Sequence, residues 1–193
     1  MNFVTPLPKE LTKGFTVWLT GMSGAGKSTV ARMLEQRLCA TGARVEVLDG
    51  DVVREHLSKG LGFSREDRDE NIRRITYVCE VLSRHGVIAI AAVVSPYRDA
   101  RDEARARIPE FVEVYLECSL DVLIERDTKG LYRKALAGQL AHFTGISDPY
   151  EAPFSAEVNI RSDRETPEQS VNKIWEALAE RGLVSNDRST FSH

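Results

Sequence analysis

Apolar positions along the chain switch repeatedly between two periods. Phe15-Thr16-Val17-Trp18-Leu19-Thr20 is a short apolar and β-branched run, the pattern of a strand covered on both faces in a parallel sheet. From Lys27 onward Val30, Met33, Leu34 and Leu38 recur at spacings of three and four, which predicts a helix ending near Gly42. Residues 44–48 predict a second strand that runs into Asp49-Gly50-Asp51, an acidic turn. Ser64 is placed to cap a helix whose apolar face would be Ile72, Ile75, Val78 and Leu82. Residues 87–94 are the most hydrophobic run and predict a central strand. A charged helix over 99–107, a strand over 111–117, a weaker strand over 157–160 and a helix over 166–181 complete the series.

Strands that alternate with helices favour right-handed crossovers, hence a three-layer α/β/α domain around a central, mostly parallel five-stranded sheet. Ligands of such a sheet gather at the carboxyl ends of its strands. A chain of 193 residues suits one such domain. We expect it over residues 14–184, after an N-terminal extension (1–13) and before a frayed polar tail (185–193). Periodicity breaks between about 127 and 153, around Thr128-Lys129-Gly130, Thr144-Gly145 and Asp148-Pro149. A connection that long inside a compact domain predicts a lid.

The first strand leads straight into Gly21-Met22-Ser23-Gly24-Ala25-Gly26-Lys27-Ser28, the full Walker A spacing between a strand and a helix. Glycines let successive backbone N–H groups turn inward on phosphate oxygens, and the helix adds its positive end. Gly21, Ser23, Gly24, Ala25, Gly26, Lys27, Ser28 and Thr29 are therefore expected to bind ATP, with Lys27 reaching the β- and γ-phosphates. The Ser28 hydroxyl is a ligand for Mg²⁺, the expected cofactor, which is usually held by few protein oxygens together with nucleotide phosphates.

Phosphoryl transfer also needs a carboxylate near the attacking hydroxyl. The strand ending at Val94 offers none, since Ser95-Pro96-Tyr97-Arg98 follows it. Asp51 is then the candidate base or hydroxyl-orienting group, and Asp49 a support for the metal, through water.

Twenty-six basic against 29 acidic side chains leave a net charge of −3, so no global positive field recruits nucleic acid. Local basic clusters must carry any anion binding. No stretch reads as a signal peptide or approaches the roughly 20 apolar residues of a membrane span, and the cytoplasm is the expected compartment. Cys39, Cys79 and Cys118 have no metal-ligand spacing and are expected to be buried reduced thiols; His56, His85 and His142 are expected on the surface.

Arg54 lies one helical turn beyond Asp51, while Arg68 and Asn71 sit three apart on the helix after Phe63. An anionic acceptor would account for them, because guanidinium forks match phosphate and sulfate. The words Gly21 to Thr29, Asp49-Gly50-Asp51, Leu61-Gly62-Phe63-Ser64, Arg68-Asp69-Glu70-Asn71-Ile72-Arg73-Arg74, Ser95-Pro96-Tyr97-Arg98, Lys129-Gly130-Leu131-Tyr132 and Phe143-Thr144-Gly145 occur in one order. That succession resembles the adenylylsulfate kinases, P-loop enzymes that phosphorylate adenosine 5′-phosphosulfate (APS).

The resemblance implies transfer of the γ-phosphate of MgATP to the 3′-hydroxyl of APS, with Asp51, Lys27 and Lys129 as catalytic residues. It places Asp49, Arg54, Phe63, Arg68, Asn71, Ser95, Lys129, Leu131 and Phe143 around the acceptor. Phe63 and Phe143 would sandwich its adenine, and Arg133 and Lys134 would add positive potential as the lid closes. Ser95 matches a serine that is phosphorylated in some family members. A homodimer and an ATP sulfurylase as functional partner are implied as well. Val52, Leu136 and Phe154 depart from the family's commonest wording. Another small-molecule kinase of the same fold, or a nucleotide-binding regulatory module, are the alternatives.

Overall fold

The computed structural model describes residues 13–185. Most of the expected N-terminal extension and polar tail lies outside the described residues. Five strands, β1 (Thr16–Thr20), β2 (Val45–Asp49), β3 (Ile88–Ala92), β4 (Phe111–Glu117) and β5 (Val158–Arg161), form one sheet in the order β2-β3-β1-β4-β5. Every pairing is parallel, so the sheet is wholly rather than mostly parallel.

Helices α1 (Lys27–Ala40) and α7 (Pro167–Glu180) cover one face. Val30, Leu34 and Leu38 of α1 and Val171, Ile174 and Leu178 of α7 bury against Val17, Leu19, Ile90, Val112 and Val114. Each such side chain contributes about 1.5–3 kcal/mol by leaving water. Helices α3 (Arg65–Arg84) and α4 (Arg98–Arg107) cover the other face, where Ile72, Ile75, Cys79 and Ala104 pack on Trp18, Ala89 and Ala91.

Three short helices were not legible as periodicity: α2 (Gly50–His56), α5 (Leu120–Arg126) and α6 (Leu131–Leu136). Each is seven residues or shorter, too brief to show two turns of an apolar stripe. The acidic turn is thus a strand-to-helix junction, and α6 lies inside the segment expected to be a lid.

Two further expectations change. The inward face of α3 runs through Arg68, Asn71, Ile72, Ile75, Thr76, Cys79 and Ser83, while Val78 and Leu82 are only half-buried. Cys79 and Cys118 are buried free thiols, but Cys39 is exposed, because it follows inward-facing Leu38 by one residue and about 100° of helix. His56, His85 and His142 are exposed as expected.

Candidate active site

The sheet order sets the site. In the ladders Ala92 of β3 is flanked by Leu19 of β1 and Asp49 of β2, so the loop after β1 and the junction after β2 open on either side of β3's end. Gly21 has φ 147, and a Cβ there would lie 2.5 Å from the Leu116 carbonyl oxygen of β4. Only glycine lets the chain leave the sheet that close to its neighbour. Gly26 caps α1 at φ 93, which turns the loop back over the helix.

Ala25 is buried beneath the loop, Gly24 is exposed at its tip, and Thr29 is exposed on the first turn of α1. Lys27 is only 8% exposed and donates to the Gly21 carbonyl at 2.7 Å and the Met22 carbonyl at 2.8 Å. Burial pulls its ammonium down from 10.5 to about 8, opposed by Asp49 and Asp51 and assisted by Lys129. All four charges therefore act at one place.

Asp49 joins the two sides of β3. One carboxylate oxygen accepts from the Ser28 hydroxyl at 2.5 Å, and the other accepts from the Asp51 amide at 3.0 Å and caps α2. Asp49→Ala removes that cap, and urea unfolding should record a loss of about 1 kcal/mol. Asp51, on the first turn of α2, is exposed and paired with Lys129 from the segment before α6.

That segment docks on the phosphate loop. Buried Tyr132 donates its hydroxyl to the Ser23 carbonyl at 2.8 Å and meets Phe143 edge-on at 5.0 Å. Asp127 secures α6 by accepting from the amides of Tyr132 and Arg133, each at 3.0 Å. Half-buried Leu131 opens the helix, with Arg133 and Lys134 exposed on it. Tyr132 belongs to the Lys129-Gly130-Leu131-Tyr132 word, while its grip on the loop is a tertiary contact across 109 positions.

Arg68 and Asn71 enter the cleft from α3. The Arg68 guanidinium donates to the Phe63 carbonyl at 2.9 Å and to the His142 carbonyl, tying α3 to the segment that follows α6. Burial lowers its pKa, opposed by Tyr97 and Asp148. Arg54 lies 4.3 Å from the Phe63 ring centroid and donates to the Gly62 carbonyl at 2.9 Å. Its pKa falls through burial first and the charge of Arg68 second, so two guanidinium groups crowd one cleft. Asn71 is 6% exposed, and its Oδ1 has no hydrogen-bond partner among the described residues. Phe63 is 53% exposed, whereas Phe143 is half-buried at the edge of the core.

Ser95 is 2% exposed, accepts from the Trp18 indole at 3.1 Å and donates to the Thr20 hydroxyl at 2.9 Å. Its hydroxyl is enclosed in the fold. Val52, Leu136 and Phe154 are all exposed, so the departures from family wording fall on surface positions.

A phosphate loop, a carboxylate bridging to the next strand end and the α6 segment docked on that loop, all at the mouth of a parallel sheet, define the class: a P-loop phosphotransferase. A family model described as adenylylsulphate kinase matches residues 13–161. The adenylyl-sulfate kinase of Microcystis aeruginosa is 56% identical over 172 residues, 89% of this chain and 95% of that one. A probable bifunctional SAT/APS kinase 2 of Sorangium cellulosum is 60% identical over 171 residues, 89% of this chain and 29% of its own length. The Mycobacterium tuberculosis APS kinase CysC, solved with AMPPNP and APS, superposes with a TM-score of 0.81 at 40% identity, covering 86% of this chain and 98% of that one. The chain belongs to the adenylylsulphate kinase family.

Proposed function

We propose that this chain transfers the γ-phosphate of ATP to the 3′-hydroxyl of APS, giving 3′-phosphoadenylyl sulfate (PAPS) and ADP. The observation that carries the reading is the pair Arg54 and Arg68 beside Phe63, with the unpartnered Oδ1 of Asn71 on the same inward stripe as Arg68. An anion between two crowded guanidinium groups relieves their repulsion, and an exposed aromatic face receives a base. The family relationship supports the same acceptor.

The phosphate loop and Lys27 hold the donor, and the Asp51 carboxylate receives the proton of the 3′-hydroxyl as its oxygen attacks the γ-phosphorus. The bond from that phosphorus to the bridging oxygen of ADP breaks. Lys129 is paired with Asp51, and that pairing supports a role for its ammonium in meeting the transferring charge. Segment 127–153 serves as the lid and limits competition from water.

Ser28 and Asp49 present two hard oxygens in hydrogen-bond contact, and among the described residues no group of three or more acidic, histidine or cysteine side chains could hold a metal. Two oxygens completed by nucleotide phosphates and water suit Mg²⁺. Bound there, the metal would offset negative charge on the donor phosphates.

No described helix is long and apolar enough to cross a membrane, and we assign the protein to the cytoplasm. The bifunctional relative supports action beside an ATP sulfurylase that supplies APS, and the family resemblance supports a homodimer.

A coupled assay with APS and MgATP, following PAPS directly against a panel of nucleoside monophosphates and sugar acids, tests the acceptor. PAPS formation is expected; ADP release with another acceptor and none with APS would overturn the reading. In the same assay Phe63→Ala should raise KM for APS by about 5- to 150-fold, the effect of about 1–3 kcal/mol of lost stacking. KM for ATP should hold.

A further inference from the structure

Behind the cleft, between α4 and β4, lies a charged cluster that the phosphotransfer reading does not use. Arg101 is 1% exposed. Its guanidinium donates to Glu113 Oε1 at 2.8 Å, to the Ser95 carbonyl at 2.6 Å and to the Glu151 carbonyl at 2.6 Å. Glu113 also pairs with Arg105 at 3.1 Å, and Arg105 with Glu157 at 2.5 Å. Two positive and two negative groups balance, so burial of the cluster is compensated.

Both carbonyls held by Arg101 belong to segments next to the site, the turn after β3 and the chain that leads back from the proposed lid. Ser95 follows β3, between the phosphate loop and Asp49, and its backbone is left-handed at φ 39. A non-glycine residue keeps that conformation only when its surroundings hold it. The side chain is held by Trp18 and Thr20 of β1, and the carbonyl by Arg101. Glu151 lies on the limb by which the lid segment returns to the domain. Its amide donates to the Pro96 carbonyl at 2.8 Å, and its carboxylate accepts from the Arg98 amide at 2.9 Å. Next to it, half-buried Tyr150 shares a 2.8 Å hydrogen bond with Thr20.

We propose that Arg101 is a positioning residue that fastens the Ser95–Pro96 turn to the lid's returning limb, so that seating the acceptor and closing the lid are one event. The inference rests on the reading of APS as acceptor. A planar guanidinium reaches a carboxylate and two carbonyls at once; an ammonium in its place keeps the charge opposite Glu113 but lacks that fork.

Wild-type turnover of APS is measured first, and its absence would count against the acceptor, not against Arg101. Given turnover, Arg101→Lys should raise KM for APS about tenfold or more, while KM for ATP stays within about twofold. In a Trp175→Phe background Trp18 is the reporter, since its indole bonds Ser95 directly. Its emission should respond to APS in the parent and lose that response in Arg101→Lys. Equal shifts in both KM values, or unchanged KM and emission, would overturn the proposal. Hydrogen exchange on the wild-type chain decides the matter should Arg101→Lys not fold. Segments 94–98 and 149–152 should gain protection together on adding APS, and a response of one without the other would sink the coupling.

Discussion

Lys27→Met is expected to lower kcat by about 10²- to 10³-fold, the usual cost of removing one preorganised charge from a transition state, without lowering the stability of the fold. The two effects have one cause. The ammonium is buried at the base of the phosphate loop, and burial has taken it from 10.5 to about 8. That difference corresponds to about 3 kcal/mol against the charged form in the folded state. Methionine fills a similar volume without the charge, while the Gly21 and Met22 carbonyls lose a donor. Stability should therefore hold or rise, by at most about 3 kcal/mol at neutral pH.

The same shift has a pH signature. Between about 8 and 10.5 the unfolded chain keeps a proton that folded Lys27 releases, so stability from this group increases as pH rises through that window. Urea titrations at several pH values, without nucleotide or divalent metal, should show that slope in the parent and lose it in Lys27→Met. A large loss of stability in the variant would mean that the lysine is structural.

Asp51→Asn should reduce kcat by about 10²- to 10⁴-fold, as expected when a positioned base is removed. Here stability should move by no more than about 0.5 kcal/mol, because the carboxylate is 76% exposed and its pairing with Lys129 is a surface contact. Asp49, two residues earlier, behaves differently. It caps α2 and binds Ser28, so its loss reaches both fold and activity. Stopped assays at saturating ATP and APS, beside urea curves, separate the two aspartates. Full activity in Asp51→Asn would remove it from the chemistry.

The contrast shows what spacing conveys and what it leaves open. Asp49-Gly50-Asp51 stood out as the only acidic pair at a useful strand end, yet its division of labour depends on α2. That helix has seven residues and buries only Val53, too little for a periodic pattern. Arg68 and Asn71, three apart on one helix, stood out as a polar pair suited to an anion, but spacing did not show that both are buried. Their burial follows from the inward stripe of α3, which runs through Arg68, Asn71, Ile72, Ile75 and Cys79 and leaves Val78 and Leu82 at its edge. Polar residues on an inward stripe signal a site, but only after the stripe's angle is known.

The sequence by itself determined the order of strands and helices, the phosphate loop and the family words that bring in APS. Those features are local: a strand, a glycine turn and a helix start are encoded within a few residues of one another. Tertiary structure decided what the sheet order puts side by side. β3 lies between β1 and β2, so Ser28 meets Asp49 across 21 positions of sequence, and Lys129 meets Asp51 across 78. Arg101 drew no notice in the sequence, as one arginine in a charged helix. Its three acceptors come from segments up to 50 residues away, and burial makes each contact matter where exposure would leave it to water.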